Sequence, residues 1–244
     1  MTRDHAFPPR VVALDGDDTL WHNETMFVLS QGRFREILGR HVPLTGAEID
    51  EVLLATERAN LRTYGYGIKG FMLSMVESAI EVTKGAIPAA DIEEILRFGR
   101  LMFEHPVELI EGARETIETL RARDHEVWLI SKGDLFDQES KIARSGLADL
   151  FHRIEIVSEK DEATYRRLLH RQGVGVEEFA MAGNSMRSDV LPVAAIGARA
   201  FYIPHELTWI HERAEPEAEG GIVTLRSIAE LPRALAGDGA GETG

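Results

Sequence analysis

The sequence contains no cysteine in its 244 residues. That absence removes disulfides, thiolate nucleophiles and cysteine-ligated zinc together, and leaves any chemistry to oxygen and nitrogen donors. Apolar runs long enough to cross a bilayer are also missing, so no membrane partner is expected. Positive charge is in short supply: 27 Lys and Arg stand against 41 Asp and Glu, a net charge of -14 with His neutral. Such a surface repels a polyanion, which argues against a nucleic-acid partner and suits a divalent cation. The opening "MTRDHAFPPR" carries Asp4 and two prolines and lacks the apolar centre of an export signal, so a cytoplasmic protein is expected. No internal repeat stands out. The nine histidines show no spacing suited to zinc, and His22 reads as a loop histidine without a chemical role.

What is present is an ordinary soluble composition, 44% hydrophobic and 28% charged, in a chain long enough for one large α/β domain or a core with a smaller insert. Short apolar runs recur at 11–15, 126–131, 154–157, 179–183 and 198–203, with "GIVTL" at 221–225 as a sixth. Helical patterns separate them: Ala113, Ile117 and Leu120 within 112–123, and Tyr165, Leu168 and Leu169 within 161–171. Continuous apolar strands alternating with helices predict a doubly wound parallel, Rossmann-like sheet.

Residues 23–105 break this rhythm. Apolar residues recur there at three and four, which predicts helices over 24–40, 46–63, 68–84 and 89–103, with Thr45 as an N-cap and Pro88 at a restart. The expected organisation is therefore an α/β core of residues 1–22 and 106–236, an inserted α-helical module of 23–105, and a disordered tail, "GDGAGETG", at 237–244. Arg187 and Ser188 are expected to open a helix. "FMLSM" reads as packing of the module. "RTYGYGIKG" (62–70) reads either as an interhelical turn or as a loop that selects substrate.

In an open parallel sheet, ligands bind beyond the carboxyl ends of the strands. The predicted strand ends carry Asp15, Asp17, Asp18 and Thr19; Ser131, Lys132 and Gly133; Lys160; and Asn184 with Asp189. Carboxylates, hydroxyls and an ammonium without cysteine or a histidine cluster suit a phosphate together with a hard cation.

"DGDDTL", "LISKG", "VSEKD" and "GNSMRSD", in that order, resemble the four motifs of the haloacid dehalogenase-like hydrolase superfamily. The helical module stands where that family carries a type 1 cap. The resemblance implies Asp15 as a nucleophile that forms an aspartyl phosphate and Asp17 as general acid and base. It implies Ser131 as a hydrogen-bond donor to the phosphoryl group and Lys160 as the cation that holds Asp15 and the phosphoryl oxygens. Mg2+ is the implied cofactor, held by Asp15, the backbone carbonyl of Asp17, and Asp189. Asn184 stands where many members have aspartate and is expected behind the metal ligands. Thr19, Lys132 and Gly133 are expected to bind substrate, Lys132 replacing a commoner asparagine. Asp18, where the family often has glycine, is expected in a turn or in solvent. Trp21 and Met26 are expected to pack at a hinge, with linkers at 21–25 and 105–111. The implied activity is a phosphatase acting on a small phosphorylated metabolite. A phosphomutase, a receiver-like signalling module and a non-enzymatic phosphate-binding protein remain as alternatives. The dehalogenase and phosphonate-cleaving branches fit less well because Asp17 is present. Oligomeric state, monomer or homodimer, is left open.

Overall fold

A computed structural model describes residues 8–205 and 222–237; the tail expected at 237–244 lies, beyond Gly237, outside the described residues. The strands in chain order are β1 (Val11–Leu14), β2 (Glu126–Lys132), β3 (Arg153–Val157), β4 (Phe179–Gly183), β5 (Arg199–Tyr202) and β6 (Ile222–Thr224). Among the described residues they form one parallel sheet in the order β3-β2-β1-β4-β5-β6. The order reverses at β1, so the crevice of a doubly wound sheet opens at its carboxyl end.

β1 is a continuous apolar run because both of its faces are covered. Val12 and Leu14 share a core with Ala113, Ile117 and Leu120 of helix α5 (Ala113–Ala122). Val11 and Ala13 share the opposite core with Tyr165, Leu168 and Leu169 of α7 (Glu162–Gln172). β1 stops one residue short of the expected 11–15, although the Asp15 amide still donates to the Ala182 carbonyl at 3.0 Å. The helix expected to open at Arg187 and Ser188 does not. A wide π-type turn occupies Met186–Val190, and α8 (Leu191–Ala195) begins after it. The Ser185 hydroxyl accepts the Ser188 amide at 2.9 Å, and Pro192 fits the first turn of α8, where no amide is needed.

The chain divides into two compact units. One contains the sheet and gathers the described residues through Glu24, Val107–Lys132 and those from Lys141 onward. The other gathers Thr25–Pro106 and Gly133–Ser140. The boundary falls inside α6 (Leu135–Ser145).

The second unit holds α1 (Glu24–Leu38, from Thr25), α2 (Gly46–Tyr64), α3 (Ile68–Val82) and α4 (Ala89–Glu104) around Phe34, Ile37, Leu53, Phe71, Met75 and Ile95. α1 ends before the expected residue 40, because the amides of Gly39 to Val42 turn back onto the carbonyls of Arg35, Ile37 and Leu38. Thr45 and Glu48 form a reciprocal cap at the start of α2: the Thr45 hydroxyl accepts the Glu48 amide at 3.3 Å and Glu48 accepts the Thr45 amide at 2.7 Å. In "RTYGYGIKG" only residues 65–67 are irregular, and Lys69, already in α3, pairs with Asp134 at 2.9 Å. Phe71 and Met75 of "FMLSM" belong to the helical core.

Glu57 of α2 is buried in this unit, and that burial pushes its carboxyl up to about 7. The folded state therefore keeps a proton that the unfolded chain gives up near pH 4.5, so stability falls as pH rises from there towards 7 and stays at the lower level above it. Glu57→Gln should consequently stabilise the protein by about 2–3 kcal/mol at pH 8 and by nothing measurable below pH ~4.5. Urea denaturation of both forms across that range checks it; a gain independent of pH would contradict it.

Candidate active site

The loop after β1 is folded tightly on itself. Amides of Thr19, Leu20 and Trp21 return to the Gly16 carbonyl at 3.3, 2.8 and 3.3 Å. A side chain on Gly16 would put its Cβ 2.6 Å from the Trp21 ring, so glycine lets the loop close over the indole. Asp18 takes a φ of 56°, a left-handed conformation that glycine adopts readily and aspartate tolerates better than most residues. Its carboxylate is buried and accepts the amides of Asn23 at 2.9 Å and Glu24 at 3.1 Å, where α1 begins. Of the two roles expected for Asp18, the turn holds and the solvent position does not.

Asp15 follows β1 directly, and its carboxylate meets the ammonium of Lys160, which arrives from the loop between β3 and α7. The same ammonium lies 2.7 Å from Asp189 Oδ1. Asp189 sits in the π-type turn after β4, its Oδ2 fixed by the Ser185 amide at 2.9 Å. Gly183 makes this position available: a Cβ there would stand 2.2 Å from Asp189 Oδ2. The Thr19 hydroxyl accepts the Asn184 amide at 3.0 Å and lies 3.4 Å from Asp15 Oδ2 and 3.3 Å from Asn184 Oδ1, so its single proton serves one or the other. Asp15, Thr19, Lys160, Asn184 and Asp189 thus form one connected buried group drawn from three strand ends.

Asp17 has partners outside that group. Lys141 of α6 donates to both of its oxygens at 2.8 Å, and the Trp21 indole donates to Oδ1 at 2.7 Å. Lys141 also reaches Asn23 Oδ1 at 3.1 Å. Trp21 itself is wholly buried in the core beneath the sheet, not merely packed at a linker. Ser131 is buried near the end of β2, and Lys132 closes that strand with its ammonium 2.9 Å from Ser188 Oγ and 3.5 Å from Glu159 Oε1. Gly133 falls in the other compact unit.

Nothing in the sequence marks Lys141; its environment shows only in the fold. Gln138, Lys141, Ile142 and Ser145 are buried at helical spacing on α6, and a lysine within such a stripe needs a buried partner.

A family model described as haloacid dehalogenase-like hydrolase matches residues 9–197. The chain belongs to the haloacid dehalogenase-like hydrolases. A crystal structure of a haloacid dehalogenase-like family hydrolase from Xanthomonas campestris is 42% identical, with a TM-score of 0.85 over 96% of this chain and 97% of that one. The Bacillus subtilis HAD-hydrolase YfnB, in a magnesium-bound form, shares the fold at 16% identity and a TM-score of 0.66, over 94% of this chain and all of that one. The pyrimidine 5'-nucleotidase PynA of Streptococcus pneumoniae is 26% identical over 117 residues, which are 45% of this chain and only 49% of that protein.

The electrostatics of this hydrolase centre on an imbalance. Burial, and after it the neighbouring Asp189, push the Asp15 carboxyl up to about 7 against the opposing pull of Lys160. Burial alone would lower Lys160, but Asp15 and Asp189 outweigh it and hold the ammonium well above the usual lysine range. Two buried carboxylates facing one ammonium leave a surplus negative charge, and the donors are oxygens without sulfur. This set fits a hard divalent cation. Among the described residues no helix is long and apolar enough to cross a membrane.

Removing Lys160 leaves the two carboxylates facing each other in a buried space. Lys160→Met should destabilise the sheet unit by about 3–5 kcal/mol, and adding Asp189→Asn should recover part of that loss. A urea-denaturation double-mutant cycle measures the coupling; additive losses would show that the pairs carry no net interaction.

Proposed function

We propose that this hydrolase is a magnesium-dependent phosphatase that acts on a small phosphorylated metabolite through an aspartyl phosphate on Asp15. The supporting observation is a pair of carboxylates two residues apart with different company: Asp15 buried against Lys160, and Asp17 gripped independently by Lys141 and Trp21. Two neighbouring carboxylates with separate partners are suited to separate chemical roles.

In this reading an Asp15 oxygen attacks phosphorus and the bond to the leaving oxygen breaks. Protonated Asp17 gives its proton to that oxygen, and the product alcohol departs. Asp17, now a carboxylate, takes a proton from water as the water oxygen attacks phosphorus. The bond to Asp15 breaks, inorganic phosphate leaves, and both carboxyl groups return to their starting states. Lys141 and the Trp21 indole hold Asp17 as a carboxylate, the form that takes the proton from water. Lys160 offsets the negative charge that builds on the phosphoryl oxygens, and Ser131 donates a hydrogen bond to them. Asp15, Asp189 and the Asp17 carbonyl would hold the magnesium ion, with Asn184 behind them, and the ion would supply further charge neutralisation. Thr19, Lys132 and Gly133 are assigned to substrate binding. The division into a core of residues 1–22 and 106–236 and a helical cap of 23–105 belongs to the same proposal.

The presence of an acid at position 17 favours phosphate transfer over dehalogenation, since the resemblance implies that the dehalogenase branch lacks it. A phosphomutase would use the same core residues and differ in its product. The likeness to PynA makes pyrimidine nucleoside 5'-monophosphates the first natural substrates to try.

With p-nitrophenyl phosphate, activity should vanish on chelation by EDTA and return with Mg2+. Asp15→Asn should abolish turnover, and Asp17→Asn should slow it by ~10²–10⁴-fold. Release of inorganic phosphate from a metabolite panel distinguishes a phosphatase from a mutase. Undiminished turnover by Asp15→Asn would overturn the mechanism.

A further inference from the structure

The sheet unit carries a second constellation of metal-binding side chains, made of residues to which the proposed hydrolysis gives no part. Asp18, His22 and His205 offer one ligand atom each, all within 4.8 Å of one another. His205 Nε2 is already 3.7 Å from Asp18 Oδ1. The two imidazole rings lie 6.3 Å apart between centroids and are inclined at 52°. Bonds of about 2.0–2.2 Å to a common ion place ligand atoms at somewhat shorter separations, which side-chain rotation of about an ångström supplies.

The surroundings resemble a prepared site. The Asp18 carboxylate is buried, and the amides of Asn23 and Glu24 orient it while leaving lone pairs to spare. The backbone at His22 is anchored, its amide bonding the Glu108 carbonyl at 2.9 Å, and Leu20 nearby accepts the Ile110 amide at 2.9 Å. His205 lies three residues beyond β5, on the same carboxyl edge of the sheet as the loop after β1. The parallel order is what unites residues so far apart in the chain, which is why the spacing of the histidines along it carries no zinc signal.

We propose that Asp18, His22 and His205 form a transition-metal site, distinct from the oxygen-only set at Asp15 and Asp189. Two imidazoles and one carboxylate favour Zn2+, Co2+ or Ni2+ over Mg2+, because nitrogen donors bind later first-row ions more strongly. Three protein ligands leave a further coordination position for water or a small ligand. A bound ion would clamp the loop after β1 to the segment after β5.

Zn2+ titration by calorimetry, and Co2+ titration followed by visible absorption, test this on EDTA-treated full-length protein in excess Mg2+. The expected result is one Zn2+ per chain, retained by an Asp15→Asn, Asp189→Asn double variant and weakened at least tenfold in His22→Ala and in His205→Gln. Because the readout is binding, it is independent of phosphatase activity. His22 is exposed, so its replacement leaves the fold intact, as circular dichroism would verify. Zn2+ affinity unchanged in both histidine variants, loss of binding in the Asp15 and Asp189 double variant instead, or no Zn2+ binding by the unmodified protein would each overturn the assignment.

Discussion

One ammonium group holds two buried carboxylates at the centre of this protein. Lys160 stands between Asp15 and Asp189, and each of the three comes from a different strand end. Burying two like charges together is unfavourable, and their shared cation offsets that cost. Thr19, Asn184 and the Ser185 amide are then drawn into the same network to satisfy the remaining oxygens. Gly183 keeps free the space that the Asp189 carboxylate fills.

The sheet explains why these groups meet. Parallel strands point their carboxyl ends one way, so every loop that follows a strand emerges on one edge. β1 lies where the strand order reverses, flanked by β2 and β4. The residues that follow β1, β2, β3 and β4 emerge on that edge and are brought near one another without any local sequence relation. Close packing on both faces supplies the rigidity: the sheet is buried by α5 on one side and α7 on the other.

Much of this was legible in the sequence, for physical reasons that can be named. Strands covered on both faces become uninterrupted apolar runs, so β1, β2 and β4 announced themselves. The helical insert showed its 3.6-residue period, and Thr45 with Glu48 marked a helix start in four letters. Acidic and basic residues set directly behind apolar runs showed which side chains to watch at the strand ends. The environments of those side chains were less visible. Nothing local reveals that Lys141 reaches across to Asp17, because ion-pair partners are chosen by tertiary packing. The π-type turn after β4 looks in the sequence like an ordinary helix start at Arg187 and Ser188, since a helical pattern does not register a widened turn. Asp18 looked like a turn residue, but its burial and its grip on the Asn23 and Glu24 amides depend on how the loop after β1 folds back.

The Lys160 pairs also bear on how the chain matures. Asp15 and Lys160 are 145 positions apart, whereas Lys160 and Asp189 are separated by 29. Bringing together groups so far apart in the chain costs loop-closure entropy, which grows slowly with the length enclosed. Until β1 has docked between β2 and β4, the lysine and both acids are better solvated apart. The buried group is therefore no local feature of the chain: a fragment without the segment after β1, β3 or β4 lacks one of its three charges, and only a chain that holds all three strands in one sheet can assemble it.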